Sequence, residues 1–172
     1  TAAVLMGHLC YQDELLAKLP QSITQNCTSD AAIALAVYSH FGRQGLEQLE
    51  GEFSLVVWDG ELQQLFALRD PLGSWQLFWL KAGTTLALST SIIPLLDLLP
   101  NKPFNLDFLA QFLMLPSPAV ELPTEETAFT GINRVLPGTI LTITATGTVE
   151  TYRWWRSEER RVGKECRSRW SP

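Results

Sequence analysis

Cysteine is scarce in this chain, with three in 172 residues, at positions 10, 27 and 166. So few thiols build no disulfide framework, and the count suits a reducing cytoplasm. Histidine is scarcer, with two, and no metal-ligating set is expected. Long apolar runs are missing: "FSLVVW" and "SIIPLLDLLP" are too short to span a bilayer. The opening "TAAVLMG" has neither a signal peptide nor an initiator Met. It reads as though already inside a strand, so truncation at the front is expected.

Basic charge is also short, at 13 Lys+Arg against 18 Asp+Glu. Six of those basic residues and three of the acidic ones lie in the last stretch, "RSEERRVGKECRSRWSP", residues 156–172. An arginine-rich arm with Trp170 could neutralise phosphates and stack on bases, or could be a solvated charged tail. A third reading fits better. Arg156-Ser157-Glu158-Glu159-Arg160 can be encoded by AGATCGGAAGAGC plus two bases, the start of a common sequencing adapter. The stretch is therefore expected to be a non-native tail and is set aside from fold reasoning. Without it, 7 basic and 15 acidic residues remain of the 13 and 18, a net charge of −8. An acidic body excludes nucleic acid and anionic membrane surfaces as partners. Residues 1–155 fit one domain with a sizeable core.

What is present is a mixture of helix and strand signals. Ala2 to Cys10 reads as a strand, and Gln12 to Leu19 as a helix with Leu15, Leu16 and Leu19 on one face, stopped by Pro20. A second helix starts at Ser29 or Asp30, places Ile33, Val37 and Phe41 on one face and ends at Gly42. "QGLEQLE" is a short helix. The stretch from Gly51 to Ser91 reads as an antiparallel meander with turns at Asp59-Gly60, at "DPLG" (residues 70–73, a type I pattern) and at "AGTT". "SIIPLLDLL" and "NLDFLAQFLML" read as helices, the latter capped by Asn105 with Leu106, Leu109 and Leu113 inward. "PSPAVELPTEET" reads as a surface loop, and "TILTITATGTVETYRW" as a hairpin around residues 145–147. Together these indicate an α+β fold.

The order of these signals is distinctive. "SDAAIALAVYSHFG" is followed by "LEQLEGEFSLVVWDGELQQLFALRDPLGSWQLFW", "LALSTSIIPLL" and "TAFTGINRVLPGTIL". This succession resembles the N-terminal glutaminase-type domain of the asparagine synthetase family. There, Ser-Asp, a helix ending in Gly, Leu-x-Gly-x-Phe, Trp-Asp, Arg-Asp-x-x-Gly, a Ser-rich strand end and Leu-Pro-x-Gly follow one another. The match covers residues 3–155. The resemblance implies an N-terminal-nucleophile (Ntn) fold, an αββα sandwich of two antiparallel sheets between helical layers. It also implies glutamine as substrate, attacked by a cysteine at the mature N-terminus whose α-amine is the base. The released ammonia would serve a C-terminal domain that uses ATP and Mg²⁺ to amidate aspartate to asparagine. That synthetase domain, with both cofactors, lies outside this sequence. Cys10 and Cys27 are internal, so no catalytic residue is assigned here and the chain by itself is expected to be inactive.

The resemblance also implies site residues. The family carries Asn-Gly-Glu on the strand before the first helix, where the Asn amide and the Gly N–H form the oxyanion hole. The triplet here is Met6-Gly7-His8. Gly7 keeps a backbone donor, or is simply a close-packed glycine; Met6 cannot donate, and His8 replaces a carboxylate. Asp30 matches the aspartate that holds the glutamine α-amino group, or serves as a first-turn anion of its helix, with Ser29 a cap. Arg69, Asp70 and Gly73 are expected to be structural, the first two as an ion pair anchoring the meander. Trp58, Trp75 and Trp79 are expected in core or interdomain packing. His8 and Cys10, two apart on a strand, would face the same way and could form a Cys–His pair; a buried cysteine beside an unrelated histidine is commoner.

Three functions share this fold. One is the glutaminase end of a glutamine-dependent asparagine synthetase. Another is the glutaminase-dead domain of an asparagine synthetase-like cyclase, of the lasso-peptide or β-lactam type, which "GHLCYQDELLAKL" also resembles. The last is a non-catalytic scaffold.

Overall fold

The computed structural model describes residues 1–25, 27–115 and 122–155. The adapter-like tail and part of the Pro-rich loop lie outside the described residues. The chain order is β1 (Ala2–Leu9), α1 (Gln12–Ala17), α2 (Gln21–Thr24), α3 (Asp30–Phe41), α4 (Arg43–Leu46), β2 (Gly51–Asp59), β3 (Gln64–Arg69), β4 (Phe78–Ala82) and β5 (Thr85–Ser89). Then come α5 (Ile93–Leu96), α6 (Leu106–Leu113), β6 (Ile132–Arg134), β7 (Thr139–Thr144) and β8 (Val149–Arg153).

The strands form two antiparallel sheets, one ordered β1-β2-β3-β7-β8 and the other β5-β4-β6. The expected single meander is thus divided. β2 and β3 stay in the larger sheet, and the chain crosses to the smaller one after the turn at residues 70–73. Hydrogen bonding explains the division. Asp70 O accepts from Gly73 N at 3.1 Å, closing the turn, and also from Gly138 N at 3.1 Å. The turn is held against the start of β7 instead of folding β4 back beside β3.

Strand alternation builds four layers. On β2, Phe53, Leu55 and Val57 point to one face and join Ile33, Ala34 and Val37 of α3 and Leu15 of α1 in the main core. Val56 points the other way, with Leu65, Ala67, Leu141 and Ile143 of the same sheet, and meets Leu77, Trp79, Leu86 and Leu88 from the β4–β5 side. Leu80 and Ile132 turn to the outer face of the smaller sheet, where Leu95 of α5 covers them. This is an αββα sandwich of two antiparallel sheets, the Ntn-type arrangement expected. Fully burying each large apolar side chain contributes about 1.5–3 kcal/mol.

α3 forms where its signals lie. Ser29 is in an extended conformation and its Oγ accepts from Ala32 N, while Gly42, at φ 63°, ends the helix with its N–H on Tyr38 O. The β2–β3 connection is longer than an Asp-Gly two-residue turn: it takes residues 60–63, and Asp59 Oδ1 accepts from Glu61 N and Leu62 N. α6 differs from expectation. Asn105 caps it through Phe108 N, yet Leu106 and Leu113 are 73% and 81% exposed. Its period marks an apolar stripe, of which Leu109 is half-buried while both ends stand in solvent. Phe108 instead stacks on Phe112, and the Arg134 guanidinium lies over Phe108.

Candidate functional site

The candidate site gathers at the end of β1. β1 pairs with β2 so that Met6 faces Ser54, Gly7 faces Phe53 and His8 faces Glu52. Gly7 has φ 105°, and a Cβ there would strike Glu52 O and come within 2.7 Å of Trp75 Nε1. Backbone conformation and close packing therefore both demand glycine at this position. Met6 is 43% exposed and its side chain has no hydrogen to donate. β1 stops at Leu9, and Tyr11 turns the chain left-handed at φ 53°. The strand alternation assumed for His8 and Cys10 ends before Cys10. Among the described residues no hydrogen bond joins the two side chains.

Asp30 is brought to the same strand end. Its Oδ2 accepts from Leu9 N at 2.6 Å, and its Oδ1 accepts from Gln12 Nε2 at 3.2 Å. Gln12 Nε2 also donates to Leu9 O at 3.1 Å. The carboxylate therefore stitches β1 to the N-terminus of α3, where the helix dipole favours an anion. Two of its roughly four acceptor positions are used; the others can take a donor from outside.

The turn after β3 walls the site. Asp70 Oδ1 accepts from Leu72 N and Gly73 N, and Oδ2 from Ser74 N and, at 3.3 Å, from Phe53 N. Arg69, fully buried, donates to Trp75 O at 2.7 Å, Val135 O at 2.8 Å and Gly73 O at 2.6 Å. An Arg69–Asp70 ion pair was expected; among the described residues none joins them, and each side chain bonds main-chain groups instead. Neighbours on an extended chain point to opposite sides, so each side chain fastens a different part of the turn. Gly73, at φ 71°, would bring a Cβ to 2.6 Å from Pro137 Cγ. Ser54 Oγ adds a 2.8 Å bond to Trp75 O. Of the three tryptophans, Trp79 is buried between the sheets, whereas Trp58 and Trp75 are 38% and 40% exposed. The contact of Trp75 with Gly7 could not be inferred from 68 positions of sequence separation.

A second polar pair escaped sequence reasoning. Tyr38 donates to Asp59 at 2.6 Å. Burial first, then the bond to Asp59, pushes the phenol well above its ordinary value. The same bond, with the N–H of Leu62, holds the Asp59 carboxyl below its usual range. The Trp-Asp motif drew attention to Asp59, but nothing local names Tyr38 as its partner.

The sequence from residue 1 to 155 matches the family model described as a glutamine amidotransferase domain. The chain belongs to the glutamine amidotransferase domain family. Relatives of this domain include the amidase chyE of Penicillium rubens, 33% identical over 136 residues, which cover 78% of this chain and 18% of that protein. Asparagine synthetase [glutamine-hydrolyzing] 1 of Bacillus subtilis is 25% identical over 170 residues, 95% of this chain and 26% of that protein. The chain thus spans about a fifth to a quarter of the length of these relatives. Among solved structures, glutamine phosphoribosylpyrophosphate amidotransferase from B. subtilis superposes with a TM-score of 0.56 at 14% identity, covering 90% of this chain and 29% of that one. A glutamine aminotransferase class-II domain protein from Silicibacter pomeroyi gives 0.51 at 12% identity, covering 88% and 66%. At such identities these two establish the Ntn amidotransferase fold. The domain is related to asparagine synthetases and amidases.

Proposed function

We propose that this amidotransferase domain belongs to a larger, asparagine synthetase-like ligase that forms amide bonds with ATP and Mg²⁺, and that the domain has kept its fold while losing glutamine turnover. The observation that carries the reading is the Met6-Gly7-His8 triplet. An oxyanion hole needs preorganised donors where charge develops, and losing one costs about 3 kcal/mol of barrier. Met6 supplies none. A ligase of this kind would activate a carboxylate and take an amine from its own substrate, as lactam-forming cyclases do, so it would need no ammonia.

A second reading is the ammonia-supplying glutaminase of a glutamine-dependent asparagine synthetase. Asp30 favours it, because its carboxylate stands at the end of the strand that carries Gly7 and keeps free acceptor positions.

The test uses the complete protein that contains this domain. Glutamate release from glutamine and pyrophosphate release from ATP are measured side by side. The proposal expects ATP-dependent pyrophosphate release with no glutamate formed, and no gain on adding glutamine. Glutamate formation at an enzymatic rate, stimulated by ATP and an acceptor carboxylate, would establish the second reading instead. Absence of both activities would leave the non-catalytic scaffold.

A further inference from the structure

A cavity of about 340 Å³ opens between the two sheets, at the end of the sandwich away from Gly7. Trp58, Leu65 and Ile143 are direct cross-strand neighbours on β2, β3 and β7 and form one wall. Lys81 and Leu86, paired across β4 and β5, form the other. Trp58 stands five residues along β2 from Phe53, the partner of Gly7, which separates the two places by roughly 17 Å at about 3.4 Å per residue.

Lys81 is out of pattern. β4 sends Phe78, Leu80 and Ala82 to the core beneath α5, and Trp79 to the core between the sheets. Alternation then turns Lys81 inward, on the side of its partner Leu86, which packs against that inner core. A cation thus occupies an inner-face position at the cavity's rim. Its ammonium donates to Gly147 O at 2.9 Å, and a Cβ on Gly147 would strike it, so the charge is fixed at the β7–β8 turn. That bond uses one of three ammonium hydrogens. Lys81 is exposed and makes no ion pair among the described residues, and no residue lining the cavity is acidic. Across the gap Trp58 shares the inward side of Leu65 and Ile143, yet it is left 38% exposed. The cavity therefore offers one accessible cation and apolar walls.

We infer that this cavity binds a monocarboxylate with an aromatic body. The carboxylate accepts from the open Lys81 hydrogens, and the ring enters between the sheets against Trp58, Leu65 and Leu86. Aromatic pairing with the indole adds to the gain from burial. A bond between ammonium and carboxylate is charge-assisted and about twice as strong as a neutral one. A cation is repelled by Lys81, and an inorganic anion leaves the apolar walls in water. The site is independent of the fate of glutamine at Gly7, so either proposal can fail alone.

The experiment is calorimetric titration of the whole chain with 3-phenylpropionate. The analogues are 3-phenylpropanol, which lacks the charge, 3-phenylpropylamine, which reverses it, and acetate, which lacks the ring. 3-Phenylpropionate is expected to bind at least about tenfold more tightly than any of the three. Lys81→Gln should weaken it by about tenfold or more, and Lys81→Arg should lose less, because the charge is kept. Trp58→Leu should weaken 3-phenylpropionate and leave acetate unchanged. A melting curve without ligand confirms that each variant is folded; should Lys81→Gln fail to fold, the ranking of the analogues on the parent chain decides. Absence of 3-phenylpropionate binding, equal binding of the alcohol, or unchanged affinity in Lys81→Gln would overturn the inference and leave Lys81 as a staple between β4 and the β7–β8 turn.

Discussion

The indole of Trp75 lies against Gly7, so close that a methyl group on Gly7 would come within 2.7 Å of Nε1. A turn from the far side of the β2–β3 hairpin thereby covers the Gly7 position of β1. Gly7→Ala must move Trp75 and also leave a backbone conformation that L-residues rarely adopt. It should cost about 2–4 kcal/mol. Trp75→Ala relieves the first conflict and not the second, so the double variant should recover only part of the loss. Urea unfolding of the three variants measures this.

Asp30 connects β1 to α3 through Leu9 N. Asp30→Ala leaves that N–H without its acceptor and the Gln12 amide with Leu9 O alone, and a lost bond to a charged group costs about 1.5–3 kcal/mol. Ser29→Ala removes only the cap and should cost about 1 kcal/mol. If the two lose equal stability in urea melts, Asp30 is a cap and no bridge.

Arg69 is the largest fully buried polar side chain. Arg69→Met fills similar space but strands the carbonyls of Gly73 and Val135 and leaves Trp75 O with Ser54 Oγ in place of two donors. The expected loss is about 3 kcal/mol or more. Hydrogen exchange should show residues 70–75 opening first, since these carbonyls hold that turn.

Tyr38 predicts an alkaline limit. Its folded pKa lies above the ordinary 10.0. Below about 10 both folded and unfolded chains hold the phenolic proton, and the group adds no pH dependence. Above it the unfolded chain loses the proton first, so stability falls as pH rises toward the folded value. Tyr38→Phe lacks this contribution. The stability gap between parent and variant should therefore narrow above about pH 10 in urea titrations. A constant gap would contradict it. At the acid end the sign reverses: Asp59 has a lowered folded value, so its contribution is present above the usual Asp range and lost as pH falls through that lowered value.

Much of this was legible locally. Ser29, Asp30 and Gly42 bound α3 because capping and left-handed backbone are properties of single residues. The 70–73 turn and the β7–β8 hairpin follow from proline and glycine conformational limits. Ile33 and Val37 were legible as core because the helical period carries them to one side. α6 shows where such reasoning stops. Its period identifies an apolar stripe through Leu106 and Leu113, yet the period is silent on what stands opposite.

The sequence by itself determined most element types, though not α2 or β6, along with the α+β class, the ordered motifs and the inability of the Met6 side chain to donate, since these depend on side-chain chemistry and short-range geometry. Tertiary structure alone decided that the run from Gly51 to Ser91 serves two sheets, that Trp75 rests on Gly7, and that Arg69 and Asp70 each hold main chain. Those outcomes turn on which distant N–H and C=O groups arrive within 3 Å of one another, and no local pattern encodes that arrival.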